Sequence, residues 1–551
     1  MKSFYFASSL SEFIGRLKQA AFIMPGEISK GAFVIGIFSV FSKIAGLLRE
    51  RLLATRFGAG DITDAYFAAF KIPDFIFTVL VLGALSAAFI PVFIDVRENE
   101  GERSAWAVTG SVLTILTSIL TLCALAAFIA APFLVHLLAP GFTEANTLLT
   151  VRLTRVMLLS VIFFGASNVM SGVLNASHRY AALSIAPVLY NCGIIIGIVV
   201  FTPAMGPLGL AWGVVLGAFL HLIIQLPSVL SLAKGTLRPR LVLDRTVKRI
   251  MKLMGPRMLG LAASQINTVV VIALASGLAQ GSVAVYNFAF NLVSFPSGVI
   301  GVSLAVAAFP YFAKHAARRE ITEFGSRFRA SVASVLAFLV PLSVFIIMLR
   351  AQIVRVILGS GAFDWTDTVL TANALGLLTI ALCADGIIPL LARSFYAFQD
   401  TWTPVKIGIG AVGLNLMLAL MLRPWGVEGI ALALALTQIV QGLTLAASLN
   451  KKIPKLFGPP FVEEFVKMVV AAAGGAVVLQ LLKSPIASVV DMETGFGVLV
   501  QGLGAGLGGL IVYYVLARYF KCPGVPSVDA ILKQSHIKVG AKTSKESPDK
   551  S

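Results

Sequence analysis

Long apolar stretches follow one another along almost the whole chain, separated by short polar gaps. A helix needs roughly 20 mostly apolar residues to cross the hydrocarbon core of a bilayer. Fourteen stretches meet that measure, at 31–57, 63–95, 106–137, 148–175, 181–202, 207–232, 249–277, 283–313, 328–357, 367–398, 403–422, 427–449, 463–483 and 495–519. Several are long enough to tilt or bend. The pattern predicts an all-α polytopic membrane protein of about fourteen transmembrane helices.

The polar gaps give the orientation. Gaps after even-numbered spans carry Arg97 and Arg103, then Arg179, then Lys234, Arg238, Arg240 and Arg245, then Lys314, Arg318 and Arg319, then Lys451, Lys452 and Lys455. Gaps after odd-numbered spans, such as "TPAMGP" and "GLAQGS", are nearly free of Lys and Arg. Basic loops stay cytoplasmic, so both termini are expected there, and the even span count agrees.

The second span aligns without a gap on the eighth: "YFAAFKIPDFIFTVLVLGALSAAF" (66–89) on "YNFAFNLVSFPSGVIGVSLAVAAF" (286–309). Identities include Tyr66/Tyr286, Phe70/Phe290, Phe75/Phe295, Val79/Val299, Ala87/Ala307, Ala88/Ala308 and Phe89/Phe309. A repeat six spans apart implies two six-helix lobes around a central cavity, a plan suited to alternating access. The expected organisation is an interfacial segment at 1–30, an N-lobe at 31–232, a basic cytoplasmic loop at 233–248, and a C-lobe at 249–449. Two further spans at 450–519 and a largely disordered cytoplasmic tail at 520–551 complete it.

Composition agrees with a bilayer. Charged residues make up 13% of the chain, about half the share usual in soluble domains, and the mean hydropathy is +0.90. A net charge of +18 invites a nucleic-acid reading, but the basic residues sit in the gaps that orient membrane spans, so no nucleic-acid partner is expected. Cys123, Cys192, Cys383 and Cys522 are scattered without metal or disulfide spacing. The segment "SEFIGRLKQAAFIM" is amphipathic, lacks a cleavage pattern, and is expected at the membrane surface.

Charged groups inside a membrane are costly and face a cavity or a partner. The first span holds Lys43, Arg49, Glu50, Arg51 and Arg56, with Gly46 a plausible bend. At about 100° per residue, Lys43 and Glu50 share a face, as do Arg49 and Arg56. Lys43 and Arg49 are expected to face a polar cavity, and Arg51 and Arg56 to reach an interface. Asp64 opens the second span and either caps that helix or serves function. Lys71, Pro73 and Asp74 follow, and Pro73 and Pro296 are expected to kink the matching helices. Asp385, inside the tenth span, is a candidate for ion coupling or for pairing with a cation. His136 and His221 are isolated and read as structural. No metal-ligand spacing, phosphate-cradling glycine loop or nucleophile–base arrangement is present, so catalysis is not expected.

The segment "SKIAGLLRERLLATRFGAGDITDAYFAAFKIPDFIFTVLVLGALSAAFIPVF" (42–93) resembles the MurJ (MviN) family. Arg plus acid, then FGAG, D-A, K-I-P and G-A-x-S-x-A-F-I-P carry the likeness. Echoes occur in "GVLNASHRY" (172–180), "FPSGVIGVSLAVAAFP" (295–310) and "RSFYAFQDTWTPV" (393–405). The resemblance implies a member of the multidrug/oligosaccharidyl-lipid/polysaccharide exporter superfamily in the bacterial inner membrane. Its implied cargo is lipid II, the undecaprenyl-diphosphate-linked peptidoglycan precursor, flipped to the outer leaflet for cell-wall synthesis.

Residue by residue, the resemblance assigns substrate contact to Arg49, with Glu50 as its acid, and to Asp64 and Lys71. Lys43 stands where the family has an arginine. Phe77 and Thr78 replace two arginines, Leu82 an acid, and Asn291 a further arginine. The implied cavity is less cationic than the family pattern, and Arg257 is a candidate to compensate. The resemblance leaves the partners as lipid II and membrane lipids, the chain a monomer, and no cofactor beyond coupling to the membrane potential or a monovalent cation. Alternatives are a flippase for another polyprenyl-diphosphate-linked oligosaccharide, or a drug/cation antiporter, which would be expected to rely on membrane carboxylates. A scaffold for cell-wall enzymes has little reason to carry buried charge.

Overall fold

A computed structural model describes residues 27–82, 89–454 and 456–525, with side chains at 27–33, 82, 253, 255–257, 259, 260, 263 and 264 left undescribed. Most of the interfacial segment expected at 1–30, most of the tail expected at 520–551, the repeat positions Ala87 and Ala88, and Lys455 lie outside the described residues.

Every described regular element is a helix. In order they are α1 (Glu27–Phe57), α2 (Asp61–Phe77), α3 (Ile90–Asn99), α4 (Glu102–Leu138), α5 (Glu144–Ala176), α6 (Tyr180–Ile196), α7 (Leu208–Ile223), α8 (Leu226–Ala233) and α9 (Arg245–Ser276). Then come α10 (Ser282–Pro296), α11 (Ser303–Ala317), α12 (Ile321–Ile357), α13 (Trp365–Thr379), α14 (Leu382–Ala397), α15 (Trp402–Leu422), α16 (Gly426–Lys452), α17 (Pro459–Ala487) and α18 (Gly495–Tyr519). Among the described residues nine helical stretches are long and apolar enough to cross a membrane, and α13 with α14, bent by 44°, makes a tenth. One stretch, Trp402–Lys452, comprises α15 and α16 with a short 3-10 turn between them. The first, second and seventh sequence spans also coincide with helices, α1, α2 and α9.

By contact the chain divides into two units: Met1–Phe288 with Ile357–Asp367 and Ala419–Ile430, and Ala289–Val356 with Thr368–Leu418 and Ala431–Ser551. In the first, α5 packs against α2, α4 and α7, α7 packs against α6, and α6 against α1. Lipid competes for apolar side chains, so membrane helices associate through small residues that let backbones touch. Gly193 on α6 and Gly197 in the π turn that follows it (Gly197–Phe201) meet Gly217 and Gly213 on α7 so closely that a methyl group at any of them would strike the facing backbone. Beneath α2, Phe89, Phe93 and Trp106 anchor a buried apolar cluster, with ring centres 5.8 and 6.2 Å apart.

In the second unit α11 packs against α14, and α17 against α18 through Gly475 and Gly509. The last two helices dock on α12: the Tyr513 hydroxyl donates to the Ala337 carbonyl at 2.7 Å and Lys483 Nζ to the Met348 carbonyl at 2.7 Å.

Both repeat helices widen at the same place. A π turn at Thr78–Leu82 follows α2, and another at Ser297–Val302 follows α10. The 220-residue offset of the sequence repeat carries Thr78–Leu82 onto 298–302, inside the second turn. Pro73 and Pro296 each lack an N–H, and local widening of the ladder is how membrane helices absorb such losses.

Candidate functional site

The charges of α1 are gathered by α6. Arg49 Nη1 donates to Asn191 Oδ1 at 3.0 Å, and Nη2 to Glu50 Oε1 at 2.5 Å. Asn191 is itself held, its Nδ2 donating to the Pro187 carbonyl at 3.0 Å and to the Ser42 carbonyl at 3.3 Å. The Arg49 side chain keeps 23% of its exposure and that of Glu50 only 8%, so the acid is sunk behind a guanidinium that still faces open space. Tyr66 and Tyr190 lie within electrostatic reach of Arg49. On α2, Lys71 is half-buried, and its Nζ donates to Asn287 Oδ1 at 3.2 Å. Asn287 is fixed by its own bond to the Val283 carbonyl. Arg49 and Lys71 are thus two cations positioned by asparagines and a carboxylate on neighbouring helices. A planar guanidinium binds phosphate oxygens two at a time, and a lysine adds a point charge.

Asp64 does not cap its own helix. That start is served by Thr63, whose Oγ1 accepts from the Gly60 N–H at 2.9 Å and donates to the Gly58 carbonyl at 3.0 Å. Asp64 is buried, and its carboxylate caps α10 instead, accepting the N–H groups of Gly281 at 2.8 Å and Ala284 at 2.7 Å. The free N–H groups and the dipole at that helix start attract a carboxylate.

Around this contact five loops meet at one end of the first unit. Asp61 accepts from Asn146 Nδ2 and Gln280 Nε2, Asp367 from the Ala59 N–H, and the Thr55 carbonyl from the Ala362 N–H. Arg423 donates to the Gly277 carbonyl and the Gly141 N–H to Ser276 Oγ. Gly281, at φ +84°, presses against the Ala59 carbonyl, where a side chain has neither room nor the right backbone. All five loops follow odd-numbered sequence spans.

Lys43 is exposed on α1, two turns before Glu50. Asn291 is exposed and belongs to the second unit. The Arg257 side chain lies outside the described residues. Asp385, also in the second unit, accepts from Gln438 Nε2 at 3.1 Å, a neutral partner, with the Ser297 hydroxyl nearby. Arg51, expected at an interface, is half-buried and reaches the Ile357 carbonyl at the end of α12, 3.4 Å away. The last carbonyls of a helix lack intrahelical donors, and a guanidinium within reach can supply one. Arg56 is exposed, its guanidinium 6.0 Å from the Phe57 ring centre.

Sequence reasoning missed Asn191, Asn287 and Asp61. The first two carried a signal, since each is a buried amide directly after a tyrosine in an apolar run, "YNCGIII" and "YNFAF". A polar side chain there needs a partner, and each has a cation.

Many apolar spans, cations held half-buried among them and helix ends tied by carboxylates define a multi-pass membrane protein of the transporter class. The sequence profile described as "Lipid II flippase MurJ" matches residues 53–494. The chain belongs to the MurJ lipid II flippase family. It is 28% identical to the lipid II flippase MurJ of Burkholderia cenocepacia over 458 residues, which covers 81% of this chain and 88% of that one. It is 29% identical to the probable lipid II flippase MurJ of Rhizobium tropici over 509 residues, covering 90% and 93%. In fold it is similar to a solved lipid II flippase MurJ in an inward closed conformation, with a TM-score of 0.73, 24% identity and 88% and 98% of the two chains covered. It is also similar to an inward-facing multidrug resistance MATE transporter of the MOP superfamily, with a TM-score of 0.64, 14% identity and 76% and 96% covered.

Proposed function

We propose that this chain flips lipid II from the cytoplasmic to the outer leaflet of the bacterial inner membrane by alternating access, supplying cell-wall synthesis. The observation that carries this is the family match across residues 53–494, which contains the Lys71 site and nearly abuts Arg49. A diphosphate headgroup cannot cross hydrocarbon alone, because its charge and sugar hydroxyls would lose their water. Arg49 and Lys71 offer substitute contacts, Glu50 and Asn191 hold the guanidinium in place, and Lys43 extends the basic surface. Asp64 and its neighbouring loop contacts close one end, and they are the bonds an opening there must break. In this reading fourteen helices cross the membrane, both termini are cytoplasmic, the loops joined around Asp64 face outward, and the protein works as a monomer. The drive comes from the membrane potential or a monovalent cation, with Asp385 the residue for coupling.

A second reading keeps the mechanism and changes the saccharide, and the aromatic Phe77 at a position where the family pattern has arginine favours it. The test is complementation of a flippase-depleted strain, paired with an assay of lipid II exposure on the outer leaflet. Wild type is expected to restore both, and Arg49→Ala to abolish both at normal protein level. Full rescue by Arg49→Ala removes that residue from the mechanism. Well-folded wild type that never exposes lipid II shifts the cargo to another lipid-linked glycan.

A further inference from the structure

A pocket of about 260 Å³ opens in the first unit between α2, α5, α6 and α7. Its walls are rings: Phe70 and Phe77 from α2, Phe164 from α5, and Tyr190 from α6, with His221 of α7 beside them. Phe164 is the centre of the group, 5.3 Å from Phe77 at 51°, 4.9 Å from Tyr190 at 71°, and 5.3 Å from His221 at 65°. The His221 Nδ1 is engaged by Ser167 Oγ at 2.6 Å, which locks the ring in place. At the rim stands Asp74, exposed and held on one oxygen by Gln265 Nε2 at 3.3 Å. Among the described residues its other oxygen takes no hydrogen bond. Tyr190 lies within electrostatic reach of both Arg49 and Asp74, so the pocket adjoins the cationic cluster.

Rings with a carboxylate at the rim suit two kinds of ligand. One is an ammonium group, attracted to ring faces and to the acid. The other is a sugar, whose C–H face packs on rings while its hydroxyls donate to a carboxylate. The neighbours decide between them. Lys71 precedes Asp74 by one turn of α2, and Arg49 stands by Tyr190, so two cations oppose an ammonium here. They favour a neutral ring bonded to an anion.

We propose that this pocket is the subsite for the sugar directly attached to the diphosphate of the cargo, stacked on Phe77 and Tyr190 with a hydroxyl or N–H donated to Asp74. It rests on the reading of a diphosphate-linked saccharide cargo. Phe77 makes it particular to this chain, since there a ring stands where the family pattern has a charge. The subsite recognises the saccharide, while Arg49 recognises the diphosphate.

The test measures binding of two lipids to the full-length protein in lipid nanodiscs: lipid II, and undecaprenyl diphosphate, which has the same tail and diphosphate without sugar. Asp74→Asn and Phe77→Leu are each expected to weaken lipid II about tenfold or more and to leave undecaprenyl diphosphate unchanged. Arg49→Ala is expected to weaken both. Phe77→Leu keeps an apolar side chain of similar reach, so it remains informative if Asp74→Asn unfolds. Equal losses for the two lipids, or no loss for lipid II, overturn the subsite while leaving the cargo reading standing. Binding of tetraphenylphosphonium that Asp74→Asn abolishes, with lipid II unaffected, overturns it in favour of an organic-cation site. Wild type that binds neither lipid overturns the cargo reading and the subsite with it.

Discussion

Asp64→Ala strikes the contact on which the loop cluster turns. Asp64 is 3% exposed, and its carboxylate accepts two backbone N–H groups at 2.8 and 2.7 Å. Hydrogen bonds to a charged group contribute about 1.5–3 kcal/mol each, and both donors would be left without a partner where little water reaches. Removing a buried carboxylate also relieves its own desolvation, which brings the net local cost to about 2–4 kcal/mol. At 1.4 kcal/mol per tenfold, that opens the start of α10 about 30- to 700-fold more often. Asp64→Asn keeps one acceptor oxygen and should lose about half as much free energy. Hydrogen exchange read by mass spectrometry over residues 277–290 measures this directly, with the α17–α18 pair, which makes none of these contacts, as the internal reference. Faster exchange in the order Ala, Asn, wild type is the expected result. Unchanged protection over 277–290 in a folded Asp64→Ala protein would refute the capping assignment and with it the closure of that end.

Two further predictions concern packing and pH. Gly217→Leu puts a branched side chain on the Tyr190 backbone at the α6–α7 crossing, and should cost about 1–3 kcal/mol or more in a thermal melt. Gly408→Leu, where nothing lies within 4 Å, should change little. In the loop between α14 and α15, the Lys452 hydrogen bond, joined by the Thr403 N–H and hydroxyl, holds the Asp400 carboxyl down at about 2. Its folded value lies below the unfolded one, so the stability it contributes is present above about pH 4 and is lost as pH falls through about 2. Asp400→Asn should therefore flatten the decline of melting temperature between pH 4 and 2. An unaltered slope counts against the Asp400–Lys452 contact.

Much of the architecture could be read from the chain because the bilayer filters it one segment at a time. Each span must be long and apolar on its own account, so 102–138 or 459–487 needs no knowledge of its neighbours. The repeat was legible for a similar reason, since aligned identities leave a mark in sequence, and the π turns overlap at the same offset. The site was legible only by half. Arg49, Glu50 and Lys71 stood out as charges in an apolar run. What each charge meets did not stand out, because Asn191 lies 142 residues from Arg49 and Asn287 lies 216 from Lys71. The acceptor of Arg51, the end of α12, is likewise 306 residues away.

The sequence by itself determined that the chain lives in a membrane, roughly where its helices run, how the basic gaps alternate, and which residues bring charge into the apolar zone. These follow from transfer of each segment between water and hydrocarbon, a property of composition along a line. Tertiary structure alone decided that Asp64 caps α10, that asparagines on α6 and α10 hold the two cations, and that rings from three helices wall one pocket. Those outcomes depend on which backbones touch at glycine crossings and loop ends, and a hydrogen bond is indifferent to how many residues separate its partners.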